Sequence, residues 1–257
     1  MENSLDNIPL SDRREILSAY RNLLRVSTDI LQWDDIKLIR EAIELSMQKT
    51  GFERHPSGKL LIVHSLEVAR VTVEEVGLGK TSLICALLYE LIRSSGTTKE
   101  EVARMFGSQE ATIMEGLVKV YDLYKTNASI KSENFRKLLL MFAGDMRVVL
   151  IIIADRLCTM RSLSNYSIEE QLSISSEVSY LYAPMAHRLG LYSIKSEMED
   201  LVMKYSDRET YKFIAKKLNE TKRARDKYIK EFIEPLKQEL KRNGLKFDIK
   251  GRTKTIH

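Results

Sequence analysis

Apolar residues recur every three to four positions along most of this chain, which is the period of an amphipathic α-helix. Between residues 12 and 25, for example, Ile16, Tyr20 and Leu23 share one helix face. Ser11 or Asp12 is the expected N-cap of this first helix. The same periodicity predicts further helices over residues 34–48, 61–76, 81–94, 98–106, 108–125, 132–160, 168–188, 192–204 and 207–243. The pattern therefore predicts an all-α chain.

The periodicity changes near the C-terminal end. After Asn243-Gly244, the apolar residues Leu245, Phe247 and Ile249 alternate with polar ones, which indicates a β-strand. Pro235 is expected to open the helix that precedes this strand, because proline suits the first turn of a helix.

Composition agrees with a mostly helical globular protein. The chain has 257 residues, of which 44% are hydrophobic, with 4 prolines and 11 glycines. No apolar run approaches the roughly 20 residues that a membrane span needs, so no membrane contact is expected. Cys85 and Cys158 are the two cysteines, and the first residues lack the features of a signal peptide. These features favour a cytoplasmic protein whose cysteines are buried apolar residues.

The net charge of +5 is unevenly distributed. Residues 204–257 contain 17 Lys and Arg residues against 8 Asp and Glu residues. This basic segment could bind a polyanion such as a nucleotide or RNA. The alternative is a solvated helix on which opposite charges alternate, and the interspersed acidic residues favour that interpretation.

Three motifs follow one another along the chain. Leu61–Ala69 reads LIVHSLEVA, Leu87–Ser95 reads LLYELIRSS and Ile153–Arg161 reads IADRLCTMR. This order resembles the N-terminal hydrolase domain of the RelA/SpoT-type alarmone (ppGpp) synthetase/hydrolase family. The corresponding family patterns are Tyr-Ile-x-His-Pro-Leu-x-Val-Ala, Leu-Leu-His-Asp-Val-Val-Glu-Asp-Thr and Ala-Asp-Arg-Leu-His-Asn-Met-Arg. Further matches at 133–141, 145–151 and 183–190 extend the resemblance over about residues 45–257.

The resemblance implies an all-helical HD-domain bundle followed by linker helices. We expect a degenerate HD domain over residues 1–200 and a helical linker over 201–243. Residues 244–257 end in GRTKTIH, which resembles the Gly-Arg-Pro-Lys-His-Ile-Tyr opening of the family's synthetase domain. The chain is therefore expected to stop where an α/β ppGpp synthetase domain begins, within the first strand of that domain.

The resemblance also implies a metal site that has lost part of its chemistry. His64 and Asp155 match two family ligands, whereas the His-Asp pair of the family is replaced by Tyr89-Glu90. A phenol with a pKa of about 10 is a poor metal ligand at neutral pH. His64, Glu90 and Asp155 are therefore predicted to be vestigial ligands without a metal. No cofactor is expected unless residual hydrolysis uses Mn²⁺.

Other positions of the pocket depart from the family as well. Arg93-Ser94 replaces the Glu-Asp pair that positions or activates the attacking water, and Thr159 replaces an asparagine. The Arg93 guanidinium either takes the place of the metal beside Glu90 or points to solvent, and helix spacing does not decide between these. Arg156 keeps its family identity and is expected in an internal ion pair or cap with its neighbour.

The loop that contacts the guanine nucleotide in active members is also changed. The sequence His55-Pro56-Ser57-Gly58 stands there in place of Arg-Lys-Ser-Gly. Metal binding, water activation and nucleotide contacts are thus all affected, which predicts a silent hydrolase pocket.

Three functional hypotheses follow. The first is a pseudo-hydrolase that regulates the synthetase domain of a GTP pyrophosphokinase, an enzyme of the stringent response. The second is a residual metal-dependent (p)ppGpp 3′-pyrophosphohydrolase, and the third is a guanine-nucleotide-binding regulatory module. The expected partners are the synthetase domain of the same chain and a guanine nucleotide, with ribosome contacts confined to C-terminal regions outside this sequence.

Overall fold

The computed structural model describes residues 9–94, 97–126, 144–220, 222–247 and 249, without the side chains of residues 92–94, 123–126 and 222–226. The described part of the chain is helical, which confirms the predicted all-α class. The α-helices are α1 (Leu10–Val26), α2 (Trp33–Thr50), α3 (Leu61–Glu74), α4 (Lys80–Ser94), α5 (Lys99–Met105), α6 (Ser108–Thr126), α7 (Met146–Arg161), α8 (Ile168–Glu177), α9 (Ala183–Arg188), α10 (Tyr192–Ser206), α11 (Arg208–Glu220) and α12 (Lys222–Arg242).

Helix α3 lies at the centre of the bundle. It packs against α1, α4 and α7, and apolar side chains cover almost its whole circumference. A helix that is apolar on all sides is stable when other helices surround it, which explains its position. Helix α7 contributes a second buried segment, with Ile151, Ile153 and Leu157 in the core. The central helices therefore bring residues of the first, second and third motifs into one interior region.

The N-terminal helix begins differently from the prediction. Its N-cap is Pro9, and no side chain caps it. Asp12 instead receives a hydrogen bond from Arg54 Nη2 at 2.6 Å, so this carboxylate joins α1 to the loop before α3. The second helix is capped by Gln32, and Asp35 completes the capping box from the third helical position.

The segment predicted as one helix over residues 168–188 is divided. Helix α8 passes into a π-helical turn at Val178–Tyr182, and α9 follows directly. Pro184 explains this widening, because proline has no backbone N–H and its ring clashes with the preceding helical turn.

Two expectations at the C-terminal end need correction. Pro235 does not open the last helix, because it lies inside α12. The predicted strand does not form at residues 245–247, where the backbone is irregular. The remaining part of that prediction, apart from residue 249, lies outside the described residues. None of the described helices has the length and hydrophobicity that a bilayer span requires.

Gly116 marks the closest approach of α6 to α7. A Cβ atom at this position would lie 2.6 Å from Val148 Cγ2. We expect Gly116→Ala to lower the free energy of unfolding by about 1–3 kcal/mol, because the two helices would have to separate. The matched control is Gly79→Ala, since a Cβ atom there would meet nothing within 4 Å. Urea unfolding of both variants tests this prediction, and equal midpoints would contradict it.

Asp145 fixes the start of α7 and thereby the position of Asp155 on the same helix. Its carboxylate accepts hydrogen bonds from the backbone N–H and the guanidinium of Arg147, at 2.9 Å and 2.7 Å respectively. The side-chain hydrogen bond with Arg147 is the main reason why the pKa of Asp145 lies below its usual value of 3.8.

A carboxyl group with a lowered pKa stabilises the fold at neutral pH, and this contribution is lost as pH falls through the folded-state pKa. We expect Asp145→Asn, which keeps a capping oxygen, to cost about 0.3–1 kcal/mol at pH 7. The difference from wild type should begin to shrink as pH falls below the usual carboxyl pKa and should be lost as pH falls through the lower folded-state pKa. Urea unfolding between pH 7 and pH 3 measures this difference, and a difference that grows on acidification would contradict the assignment.

Candidate functional site

Three helices bring the predicted metal ligands together in the interior. His64 lies on α3, Glu90 on α4 and Asp155 on α7, and all three side chains are buried. His64 Nε2 donates a hydrogen bond to Asp155 Oδ1 over 2.7 Å. Glu90 Oε1 lies 4.0 Å from the same nitrogen. The order of the motifs thus corresponds to a real cluster of one imidazole and two carboxylates.

Electrostatics favours the charged forms of His64 and Asp155. Burial alone would lower the pKa of His64, but the hydrogen bond to Asp155 and the nearby carboxylates outweigh it and raise the pKa. For Asp155, burial acts to raise the pKa, and the contact with His64 reverses this effect and lowers it. The two side chains therefore form a buried hydrogen-bonded pair, and the directions of both pKa shifts favour its charged form.

A second imidazole reaches this cluster from the loop before α3. The rings of His55 and His64 are stacked, with centroids 3.9 Å apart and an interplanar angle of 8°. His55 Nδ1 lies 3.0 Å from Ser57 Oγ and 3.3 Å from the Tyr166 hydroxyl. The resemblance places His55 in a changed nucleotide loop, and the sequence does not predict that it lies beside His64. The spacing of residues along the sequence does not predict this contact, because the contact depends on a turn at Gly58 that reverses the direction of the chain.

The donor atoms of this region suit a divalent transition metal. One ligand atom each from His55, His64 and Glu90 lies within 4.8 Å of the other two. Imidazole and carboxylate groups are the ligands that zinc and related ions bind in proteins. The residue types therefore suit a metal ion, but the parallel rings of His55 and His64 do not direct two nitrogens at one ion, because imidazole binds a metal in the plane of its ring. Tyr89 does not supply the imidazole of the family motif.

A cavity of about 270 Å³ adjoins the cluster. Its lining is rich in aromatic and polar side chains and consists of His55, Pro56, Tyr89, Tyr121, Ile152, Asp155, Arg156, Thr159, Tyr166, Glu170, Ile174 and Tyr182. Of the residues predicted to form the degenerate pocket, Tyr89, Arg156 and Thr159 line this cavity. The side chains of Arg93 and Ser94 lie outside the described residues, so the idea that Arg93 replaces the metal stays a prediction.

Arg156 gives the cavity a permanent positive charge. Its guanidinium lies over the ring of Tyr182, 5.3 Å from the centroid, and its Nη2 is 3.5 Å from Glu177 Oε1. Burial alone would lower the pKa of Arg156, but Tyr182, Glu177 and Asp155 raise it well above the usual value. The ion pair shown by these distances joins α7 to α8.

The cysteines have no catalytic surroundings. Cys85 and Cys158 are both buried, and burial raises the pKa of each thiol. Thiols of this kind are inert apolar residues, in agreement with the prediction from sequence.

Comparison with known proteins defines the class of this fold and site. Residues 42–192 match the HD domain family, and the chain belongs to that family. More particularly, it is a RelA/SpoT-type HD region, because its relatives carry (p)ppGpp-related names. A GTP pyrophosphokinase of Myxococcus xanthus is 35% identical over 87% of this chain and 30% of its own length.

Two further relatives have hydrolase names. A guanosine-3′,5′-bis(diphosphate) 3′-pyrophosphohydrolase of Aquifex aeolicus is 34% identical over 84% of this chain and 31% of its own length. The bifunctional (p)ppGpp synthase/hydrolase SpoT of Escherichia coli is 28% identical over 93% of this chain and 34% of its own length. The chain thus spans about a third of the length of these relatives.

Proposed function

We propose that this HD region does not hydrolyse (p)ppGpp and instead regulates a (p)ppGpp synthetase domain of the same protein. Relatives named as GTP pyrophosphokinases and as (p)ppGpp hydrolases support the alarmone context. Tyr89, which lines the cavity where the family has an imidazole, supports the loss of hydrolysis.

One observation carries the proposal most directly. Among the described residues that line the cavity, the carboxylates are Asp155 and Glu170. Asp155 accepts the hydrogen bond of His64, and Glu170 is bonded to Ser167 in the capping box of α8. Hydrolysis of a pyrophosphate needs a carboxylate or an equivalent base that orients the attacking water. Both cavity carboxylates already have structural partners, and Arg93-Ser94 replaces the Glu-Asp pair that serves this purpose in the family.

Arg161 connects the helices of the pocket to helices nearer the C-terminal end, and this connection is the basis of the proposed regulation. Arg161, at the end of α7, donates hydrogen bonds to both oxygens of Glu75 at 2.8 Å and 2.7 Å. The same guanidinium binds Glu197 on α10 over 2.7 Å. Arg161 therefore ties the pocket helices to the helices that continue toward the C-terminal end. Regulation would require this connection to exist in two arrangements that the synthetase distinguishes.

Synthesis of (p)ppGpp by the full-length protein tests the regulatory role. Removal of residues 1–200 is expected to change the rate of synthesis. Arg161→Lys is a milder variant, because lysine keeps the charge but cannot bind two carboxylates in a bidentate manner. Arg104→Lys, on the exposed side of α5, is the matched control. Unchanged synthesis after removal of residues 1–200 would contradict the proposal.

A second candidate function is guanine-nucleotide binding in the cavity. Tyr121 and Tyr166 offer aromatic faces, and Arg156 offers a cation for phosphate. Binding of ppGpp in this cavity should persist at moderate salt, whereas RNA bound by the basic residues 204–254 should dissociate steeply as salt rises. Titration of ppGpp at two salt concentrations, with Tyr166→Ala as the cavity variant, separates the two. Equal affinity of wild type and Tyr166→Ala would contradict binding in the cavity.

A further inference from the structure

We infer that helix α12 pairs with α12 of a second copy of this chain, antiparallel and about a twofold axis near Leu236. The contact is formed by a row of apolar side chains, Tyr228, Phe232 and Leu236, which we call the apolar stripe. This surface lies outside the pocket, and its role does not depend on the proposed loss of hydrolysis.

The apolar stripe lies open on the surface of α12. Its residues are four positions apart, so they follow one another along one face of the helix. Tyr228 is 68% exposed, Phe232 64% and Leu236 48%. The rings of Tyr228 and Phe232 stack on each other, with centroids 6.4 Å apart. A contiguous row of exposed apolar side chains marks a surface that binds a partner.

Helix α11 covers a neighbouring side of α12 and leaves the apolar stripe exposed. The two helices are in contact, and Ile229, Ile233 and Leu240 of α12 are half-buried. The apolar face of α12 is therefore wider than the part that α11 covers. Most of the stability of a helix in a protein comes from packing of its apolar face, so the rest of this face is expected to bind a partner.

The charges of α12 argue against a nucleic acid on the apolar stripe. Lys230, Lys237 and Lys241 are exposed and share one face, because they are seven and four positions apart. Lys230 is two positions before Phe232, which places this row of lysines on the opposite side of the helix. A single strand that stacked its bases on the aromatic rings would therefore not reach these cations with its phosphates.

The edge of the apolar stripe carries two opposite charges that fit a second copy. Glu231 and Arg242 are eleven positions apart, close to three full helical turns, so both flank the stripe on the same side. In an antiparallel pair about a twofold axis near Leu236, Glu231 of one copy lies at the level of Arg242 of the other. The symmetry repeats this contact, so one dimer contains two such ion pairs.

Within one copy, the ion pairs of these two side chains are exposed. Lys227 Nζ lies 3.7 Å from Glu231 Oε1, and Arg242 Nη1 lies 3.6 Å from Glu239 Oε2. Exposed ion pairs of this kind contribute little to stability. A guanidinium has five N–H donors, so Arg242 can bind Glu239 of its own helix and Glu231 of the second copy together.

The same register brings apolar residues to the same level. Phe232 lies at the level of Leu240 of the second copy, and Tyr228 lies at the level of the segment after α12, where Leu245 is 57% exposed. The contact follows one helix of 21 residues, about 30 Å long. A contact of this extent is at the low end of dimer interfaces, so we expect a dissociation constant of about 1–100 μM.

Sedimentation velocity of the purified chain across this concentration range tests the inference. The fraction of dimer is expected to rise with concentration. Phe232→Ala should raise the dissociation constant about tenfold or more, because it truncates a central side chain of the contact. Phe213→Ala is the matched control, since Phe213 on α11 is also 64% exposed and lies outside the apolar stripe.

Exchange of the two charges tests the antiparallel register. Glu231→Arg and Arg242→Glu, each alone, should weaken dimerisation about fivefold, because each creates two contacts between like charges. An equimolar mixture of the two variants should recover the wild-type affinity, since both contacts in the mixed dimer again join opposite charges. Circular dichroism of every variant checks that the fold is retained.

Three results would overturn the inference. A chain that stays monomeric well above the expected concentration range does not pair with itself, and binding of that monomer to phosphatidylserine vesicles through Phe232 would identify an anionic lipid surface as the occupant. A dimer whose affinity Phe232→Ala leaves unchanged would use another surface. Failure of the mixed variants to recover affinity would exclude the antiparallel register.

Discussion

Replacement of Asp155 by alanine is expected to lower the free energy of unfolding by about 3–5 kcal/mol, the loss typical of breaking a buried ion pair. Asp155 is 8% exposed, and its carboxylate accepts a 2.7 Å hydrogen bond from His64 Nε2. Without Asp155, the buried His64 imidazole loses the partner that raises its pKa. Urea unfolding in metal-free buffer measures the effect.

Two comparisons test whether the loss of stability comes from the contact between Asp155 and His64. Asp29→Ala removes an exposed carboxylate and should change stability by no more than about 0.5 kcal/mol. A double-mutant cycle of Asp155→Ala with His64→Gln should reveal strong coupling, so that the double variant loses less stability than the two single variants together. Additive losses would show that the two side chains do not stabilise one another.

The second large effect is a gain of hydrolysis. Combining Tyr89→His, Glu90→Asp, Arg93→Glu and Ser94→Asp restores the residues of the family pattern in α4. We expect release of pyrophosphate from ppGpp in the presence of Mn²⁺ to rise by about 10²-fold or more over wild type. This magnitude is typical of adding a positioned acid–base group.

The contributions of metal and water activation can be separated. A variant with Tyr89→His and Glu90→Asp alone restores the ligands but not the acidic pair, and it should remain much slower than the fourfold variant. Adding Asp155→Asn to the fourfold variant should abolish the gain, because it removes a ligand. Rapid hydrolysis by the variant that lacks the acidic pair would contradict the proposal that Arg93-Ser94, in place of that pair, prevents hydrolysis.

Much of the fold follows from the sequence because helical periodicity directly reflects which face is buried. Helices α2 to α4 begin and end within a few residues of the prediction, since Gly51, Gly77 and the capping signals are local. The π-helical turn before Pro184 was not foreseen, because its cause is the fit of a proline ring between two helical turns.

The N-terminus of α1 also differed, since the loop residue Arg54 binds Asp12. Such a contact depends on tertiary structure and leaves no trace in the spacing of residues.

Only part of the candidate site could be predicted, because some of its contacts depend on tertiary structure. His64, Glu90 and Asp155 lie in motifs whose order resembles a known family, and their residue types are those of metal ligands. His55 lies in a loop, and its stacking on His64 depends on the turn at Gly58 and on hydrogen bonds from residues 165 and 166. Contacts between residues so distant in sequence cannot be read from a local pattern.

The central claim is that this HD region lacks (p)ppGpp hydrolase activity. Its most direct test is incubation of the purified chain with ppGpp and excess Mn²⁺, following pyrophosphate release beside the folded Asp155→Asn variant. The account predicts no release above that of the variant. Release by wild type that Asp155→Asn abolishes would contradict it, because the pocket would then hold a metal and activate water despite Tyr89, Arg93 and Ser94.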